Sequence, residues 1–162
     1  ARVAARFGSH YDSGMEGIDF IFPEPAEIAA QSLDGLGIVQ TRIAAIQEIA
    51  QRLMDGRLDF SHVGVLDEFV AKLCEVKGIG EWTANYVAMR ALGDPDAFPH
   101  SDLILLRAAA ERGEVLTPKK LLDRASAWRP WRAYAVMLLW RSYAQKADQE
   151  SRPRRRANSA GT

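Results

Sequence analysis

Apolar residues recur at helical spacing along most of this chain. Leu66, Phe69, Val70, Leu73 and Val76 mark one helix; Ile79, Thr83, Val87 and Arg90, with Ala84, Ala88 and Ala91 beside them, mark the next. Earlier, Ile43, Ile46, Ile49 and Leu53 keep to one face of a helix predicted over 40–54, which Gly56 ends. Pro25 suits the first turn of a short helix over 25–31, and residues 1–7 read as the end of a helix closed by Gly8. Between them the stretch from Tyr11 to Phe22 is aromatic and broken by glycine, which predicts a loop. Downstream, Gly93-Asp94-Pro95-Asp96 is a helix stop and turn. Ser101 or Asp102 caps a helix over 103–112, and Thr117-Pro118 caps another running to about Trp128. Pro130 opens a last amphipathic helix that reaches about Ala147. No period-two alternation is bounded by turns, so the chain is expected to be all-α, with about seven short helices.

Two of these helices meet at Gly78-Ile79-Gly80. Glycines on either side of one buried apolar residue allow a sharp turn at positive φ, and they leave the first amides of the second helix uncovered by any Cβ. Such a turn can hold a phosphate on bare N–H groups, helped by the positive end of the helix. The same spelling closes many helices that bind nothing, so the turn by itself leaves both readings open. Gly35-Leu36-Gly37 repeats the pattern ahead of the 40–54 helix, where a tight helix-to-helix turn is the simpler account.

Composition narrows the picture. At 162 residues and 48% apolar, the chain is one domain's worth of protein. Its net charge is zero, but unevenly spread: residues 1–140 hold 15 Lys and Arg against 19 Asp and Glu, and residues 141–162 hold 6 against 2. A nucleic-acid partner would therefore have to be held by a local patch and backbone amides rather than by a broad positive face. Residues 148–162, with Arg154-Arg155-Arg156 and no large apolar side chain, read as a disordered basic tail behind a helical domain over 1–147. The longest apolar runs are far too short to span a bilayer, and nothing reads as a signal peptide, so a cytoplasmic setting is expected. The lone Cys74 allows neither an internal disulfide nor a four-cysteine iron–sulfur cluster, and its place in an apolar pattern makes it a small core residue.

The run Gly78-Ile79-Gly80-Glu81-Trp82-Thr83-Ala84-Asn85-Tyr86, followed by Asp96-Ala97-Phe98-Pro99-His100-Ser101-Asp102-Leu103, resembles the helix-hairpin-helix of DNA base-excision glycosylases. It looks closest to the DNA-3-methyladenine glycosylase II (AlkA-type) branch, and the likeness extends more loosely to about Tyr143. The resemblance implies a hairpin at 66–91 inside a helical glycosylase domain, of which this chain is a carboxy-terminal portion. A sheet-containing domain and further helices would precede it, and the uncapped start at Ala1 fits a chain cut upstream. The implied activity is hydrolysis of the N-glycosidic bond of alkylated purines such as 3-methyladenine, by a monomer acting on damaged double-stranded DNA without a cofactor.

On residues alone, Asp102 beside Ser101 is a capping residue. The resemblance implies more, because the family's catalytic aspartate lies twenty residues after the aromatic of the second hairpin helix, and Trp82 plus twenty is Asp102. Pro99-His100-Ser101-Asp102-Leu103 agrees with the branch's Pro-x-x-Asp-Leu, and Arg107 also fits. An anion is favoured at the first amides of a helix. Placed near a sugar that is losing its base, it lowers the barrier to oxocarbenium-like charge and can orient or deprotonate the attacking water. Relatives that also cut the strand carry a lysine where this chain has Trp82, which implies a monofunctional enzyme.

Trp82 and Tyr86, four apart, share a helix face and would ordinarily be read as packing. The resemblance places them, with Trp140, around the pocket for the alkylated base, where a cationic purine sits well over aromatic faces. It also puts a DNA phosphate on the amides of Gly78, Gly80 and Thr83 with Lys77 adjacent, and a structural monovalent cation on the carbonyls of Cys74, Val76 and Gly78. Trp128, Trp131 and Tyr134 are assigned to packing. His10, His62 and His100 are scattered without metal-ligand spacing. The rival readings are a glycosylase for another damaged base, a helix-hairpin-helix DNA-binding module without catalysis, and a helical interaction domain whose Gly-Ile-Gly is only a turn.

Overall fold

The computed structural model describes residues 2–60, 65–111 and 113–151, and every regular element among them is helical. His62, Arg112 and the arginine run at 154–156 lie outside the described residues. The chain divides into two compact units, Ala1–Ala84 and Asn85–Thr162.

The first unit holds α1 (Arg2–Phe7), α2 (Pro25–Ala30), α3 (Gln40–Met54), α4 (Leu66–Cys74) and the start of α5 (Glu81–Val87). Pro25 stands at the first position of α2, and the helix opens on a capping box in which the Glu24 N–H donates to the Glu27 carboxylate at 2.9 Å. Ile43 of α3 packs with Ile28, Leu33, Leu36 and Ala50 in one buried cluster, and Phe7 and Ile46 lie against it. The predicted loop after α1 is pinned by an isolated antiparallel bridge between His10 and Phe20, whose rings meet edge to face at 5.8 Å.

In the second unit α5 runs into a π-helical turn, Ala88–Leu92, closed by Gly93 at φ 67. There follow α6 (Leu103–Ala109), α7 (Pro118–Ala125), a 3-10 turn at Ser126–Trp128 and α8 (Arg132–Ser151). Phe98, Leu105, Leu121 and Val136 are its largest sealed side chains, and α6 packs along α8.

Three expectations need correcting. Helix α6 stops at Ala109 rather than residue 112, because Arg124 of α7 donates to the Ala109 carbonyl at 2.7 Å and ends the ladder there. The last helix begins two residues after Pro130: Trp131 N–H turns back to the Trp128 carbonyl at 2.8 Å before α8 can start, and the helix then runs to Ser151. Trp131 and Tyr134 are not core residues. They stand 58% and 61% exposed and touch each other edge-on at 5.7 Å. The inward face of α8 is taken by Arg132, Ala133 and Val136, which leaves these two aromatics on the outside. Trp128 does pack as expected, edge to face with Phe98 at 6.0 Å.

Candidate active site and hairpin grip

The hairpin turn begins where α4 ends. Val76 is fully buried, its N–H donates to the Leu73 carbonyl, and its own carbonyl accepts from Ile79 N–H at 3.0 Å. Gly78 reaches φ 93, a backbone that an L side chain rarely adopts, so a glycine is required there. Gly80 was expected to share that conformation and does not. It opens α5 with its carbonyl accepting from Ala84 N–H, and a Cβ on it would meet nothing within 4 Å. Lys77, Gly78 and Gly80 are exposed and Thr83 is half-buried. The turn borders a groove of about 350 Å³ whose opposite wall is α3, with Thr41, Arg42 and Ile46 across from Gly78 and Thr83.

Sequence reasoning missed what holds this turn in place. Arg52 of α3, 8% exposed, donates to Glu75 Oε2 at 2.8 Å, to the Lys72 carbonyl at 3.4 Å, and through Nε and Nη2 to Glu48 Oε1. The hydrogen bond it donates to Glu75, then those it donates to Glu48, push the guanidinium further up from its already high pKa, so its charge is permanent. Burial pushes the Cys74 thiol up, with the charge of Glu81 adding to it, and leaves a half-buried, inert residue.

The predicted carboxylate does more than cap. Asp102 is the N-cap of α6, and its Oδ1 accepts from Leu105 N–H at 2.9 Å. The same oxygen accepts from the indole Nε1–H of Trp140 on α8 at 3.2 Å. Tyr86 and Trp140 lie with ring centroids 6.1 Å apart. Three of the four residues predicted to act on the base and sugar are therefore neighbours: Asp102, Trp140 and Tyr86. Trp82 stands one turn before Tyr86 on α5, in the first unit, and is 39% exposed.

The loop that delivers Asp102 is fastened at several points. Asn85, 8% exposed, accepts from Phe98 N–H on its Oδ1 at 3.1 Å. Pro95 accepts from Ala133 N–H at 2.9 Å. Asp96 takes a two-pronged bond from Arg132, both contacts at 2.7 Å, and a third from Arg129 at 3.0 Å. None of these partners was singled out from sequence. Asn85 sat inside the motif without a role, and Arg132 is 36 residues from Asp96 with no local pattern to join them.

This architecture is that of the helix-hairpin-helix DNA glycosylases. In sequence, the relatives of the chain are DNA-3-methyladenine glycosylases of the AlkA type. DNA-3-methyladenine glycosylase 2 of Escherichia coli K12 is 32% identical over 152 residues, covering 92% of this chain and 52% of the relative. A probable bifunctional transcriptional activator/DNA repair enzyme AlkA of Mycobacterium tuberculosis H37Rv is 32% identical over 148 residues, covering 91% of this chain and 30% of the relative. Among solved structures, a DNA-3-methyladenine glycosidase from Bacillus halodurans superposes with a TM-score of 0.70 at 29% identity, covering 79% of this chain and 63% of that one. The Schizosaccharomyces pombe 3-methyladenine DNA glycosylase Mag1, in complex with abasic DNA, has the same fold, at a TM-score of 0.69 and 23% identity over 86% of this chain and 69% of that one. No protein-family model matches the chain. It spans about half the length of the first of these relatives and less of the second.

Proposed function

We propose that this chain is the part of a monofunctional DNA N-glycosylase that releases alkylated purines such as 3-methyladenine from damaged duplex DNA, acting as a monomer on DNA in the cytoplasm. The observation that carries the reading is the meeting of Asp102, Trp140 and Tyr86: a helix-capping carboxylate fixed beside two aromatic rings. The duplex is held at the hairpin, with a phosphate on the amides of Gly78, Gly80 and Thr83 and Lys77 alongside. The damaged nucleotide is rotated out of the stack, at a cost that is smallest for a damaged base. Its base rests against Tyr86 and Trp140, whose electron-rich faces favour a ring carrying positive charge. The Asp102 carboxylate then stabilises the positive charge that builds on the sugar as the bond to the base breaks, and orients the water that attacks it. With tryptophan at position 82, no amine attacks the sugar, and the product is an abasic site. The carbonyls of Cys74, Val76 and Gly78 suit a monovalent cation as hard neutral donors, the Val76 oxygen keeping a second lone pair beside its bond from Ile79.

Incubation of the protein with methylated duplex DNA is expected to release 3-methyladenine; complete recovery of every base on the DNA would favour a binding module instead. A panel of duplexes with deaminated and oxidised bases identifies the rival lesions.

Gly80→Asp isolates the grip. Because the added side chain meets open space and the backbone there is ordinary, folding should be unaffected. A carboxylate against a phosphate should weaken duplex binding by about tenfold or more, which corresponds to roughly 1.4 kcal/mol. Unchanged affinity in a titration at fixed salt would mean that the turn is only a turn.

A further inference from the structure

The indole of Trp140 faces the acid with its N–H as well as facing Tyr86 with its ring. Oδ1 of Asp102 accepts from Trp140 Nε1 at 3.2 Å and from Leu105 N at 2.9 Å, so two donors on two helices converge on one oxygen. A carboxylate held by a single donor can swing about its own bond. One held by an amide of α6 and an indole of α8 has its plane fixed, because both donors belong to packed helices. The Trp140 end is itself well anchored. Arg132, eight residues earlier on the same helix, binds Asp96, six residues before Asp102 on the loop, and Ala133 N–H holds Pro95. The loop is thus fastened to α8 near the helix start through Arg132 and again about two turns later through Trp140.

We propose that Trp140 is a positioning residue for Asp102: its indole N–H fixes the carboxylate in the orientation that addresses the sugar, a role separate from any contact its ring makes with the base. The inference rests on the reading of Asp102 as the catalytic residue of a glycosylase. A ring that only lined a pocket could be replaced by another flat aromatic ring. A ring whose N–H orients the acid could not.

Trp140→Phe keeps an aromatic face and removes the donor. The single-turnover rate of base release from methylated duplex DNA should fall roughly ten- to a hundredfold, the effect of losing a hydrogen bond to a charged group. Affinity for a duplex carrying an abasic-site analogue should stay within about twofold of the parent, and the melting temperature should hardly move. Trp140→Ala, which loses the ring as well, should lower both rate and affinity. A Phe variant with the parental rate, or one that loses rate and affinity in step, overturns the proposal. The indole resonance of Trp140 in an ¹H–¹⁵N spectrum gives a readout independent of turnover: in Asp102→Asn, which offers a weaker neutral acceptor, it should move upfield. A resonance that stays in place also overturns the proposal. If the parent protein releases no base from any lesion while that resonance does move, the glycosylase reading fails and the bond stands.

Discussion

Asp102→Asn should abolish base release to within a small residue of the parental rate while leaving the fold and the hold on DNA nearly as they were. The substitution is informative because of where the side chain sits. Asparagine is as good an N-cap as aspartate, and its amide oxygen can accept from Leu105 N–H and Trp140 Nε1–H as Oδ1 does now. What is lost is the negative charge. At about 4 Å from a developing positive charge, with an effective dielectric of about 20, that charge is worth about 4 kcal/mol, or roughly a thousandfold in rate. Alanine would be a poorer probe, since removing the cap costs about 1 kcal/mol of stability by itself. The measurements are a single-turnover rate on methylated duplex DNA, the affinity for abasic DNA, expected within several-fold of the parent, and a melting curve. A fully active Asn variant would remove Asp102 from the chemistry.

The parts of this molecule written in local sequence were readable, and those made by distant pairings were not. The hairpin was visible because its signals are contiguous: the apolar repeat ending at Val76, the glycine at Gly78 that takes φ 93, and the buried alanines Ala84 and Ala88 beyond it. Helix α3 was placed over its full range because its apolar face and the glycine beyond it agree. Asp102 could be placed at a helix start from its neighbours alone, but its second donor lies 38 residues away on α8, and no periodicity connects the two. The exposed pair Trp131 and Tyr134 misled for a related reason. Large aromatics on a helix are ordinarily its buried face, yet here alanine, valine and the stem of Arg132 fill that face, and nothing in the order of residues says which stripe will win. The end of α6 was likewise decided from outside, by an arginine of α7 that caps Ala109 before the helical pattern runs out.

The pairing of Asp96 with Arg132 yields the largest expected stability effect. Both side chains are well covered, at 16% and 7% exposure, and the guanidinium meets the carboxylate in parallel contacts of 2.7 Å, the geometry in which arginine binds most strongly. Arg132→Met keeps a flexible apolar stem near the Phe98 ring, over which the guanidinium now sits at 5.8 Å, and removes the charge. Asp96 is then left with Arg129, whose side chain is 58% exposed and so a weak substitute. Breaking a covered pair from one side costs about 3–5 kcal/mol, and the remaining partner puts the expectation at about 3 kcal/mol. Urea unfolding should show a lower midpoint with an unchanged slope. Arg132→Lys, which retains charge but not the two-pronged contact, should lose less. The double variant Asp96→Leu with Arg132→Met should recover most of the stability, because the cost comes from an uncompensated buried charge rather than from the absence of the pair. An Arg132→Met protein within about half a kcal/mol of the parent, the range of ordinary surface changes, would show that the pair holds nothing. Recovery of stability without recovery of base release in the double variant would show that the pair's work lies in aligning the loop that carries Asp102.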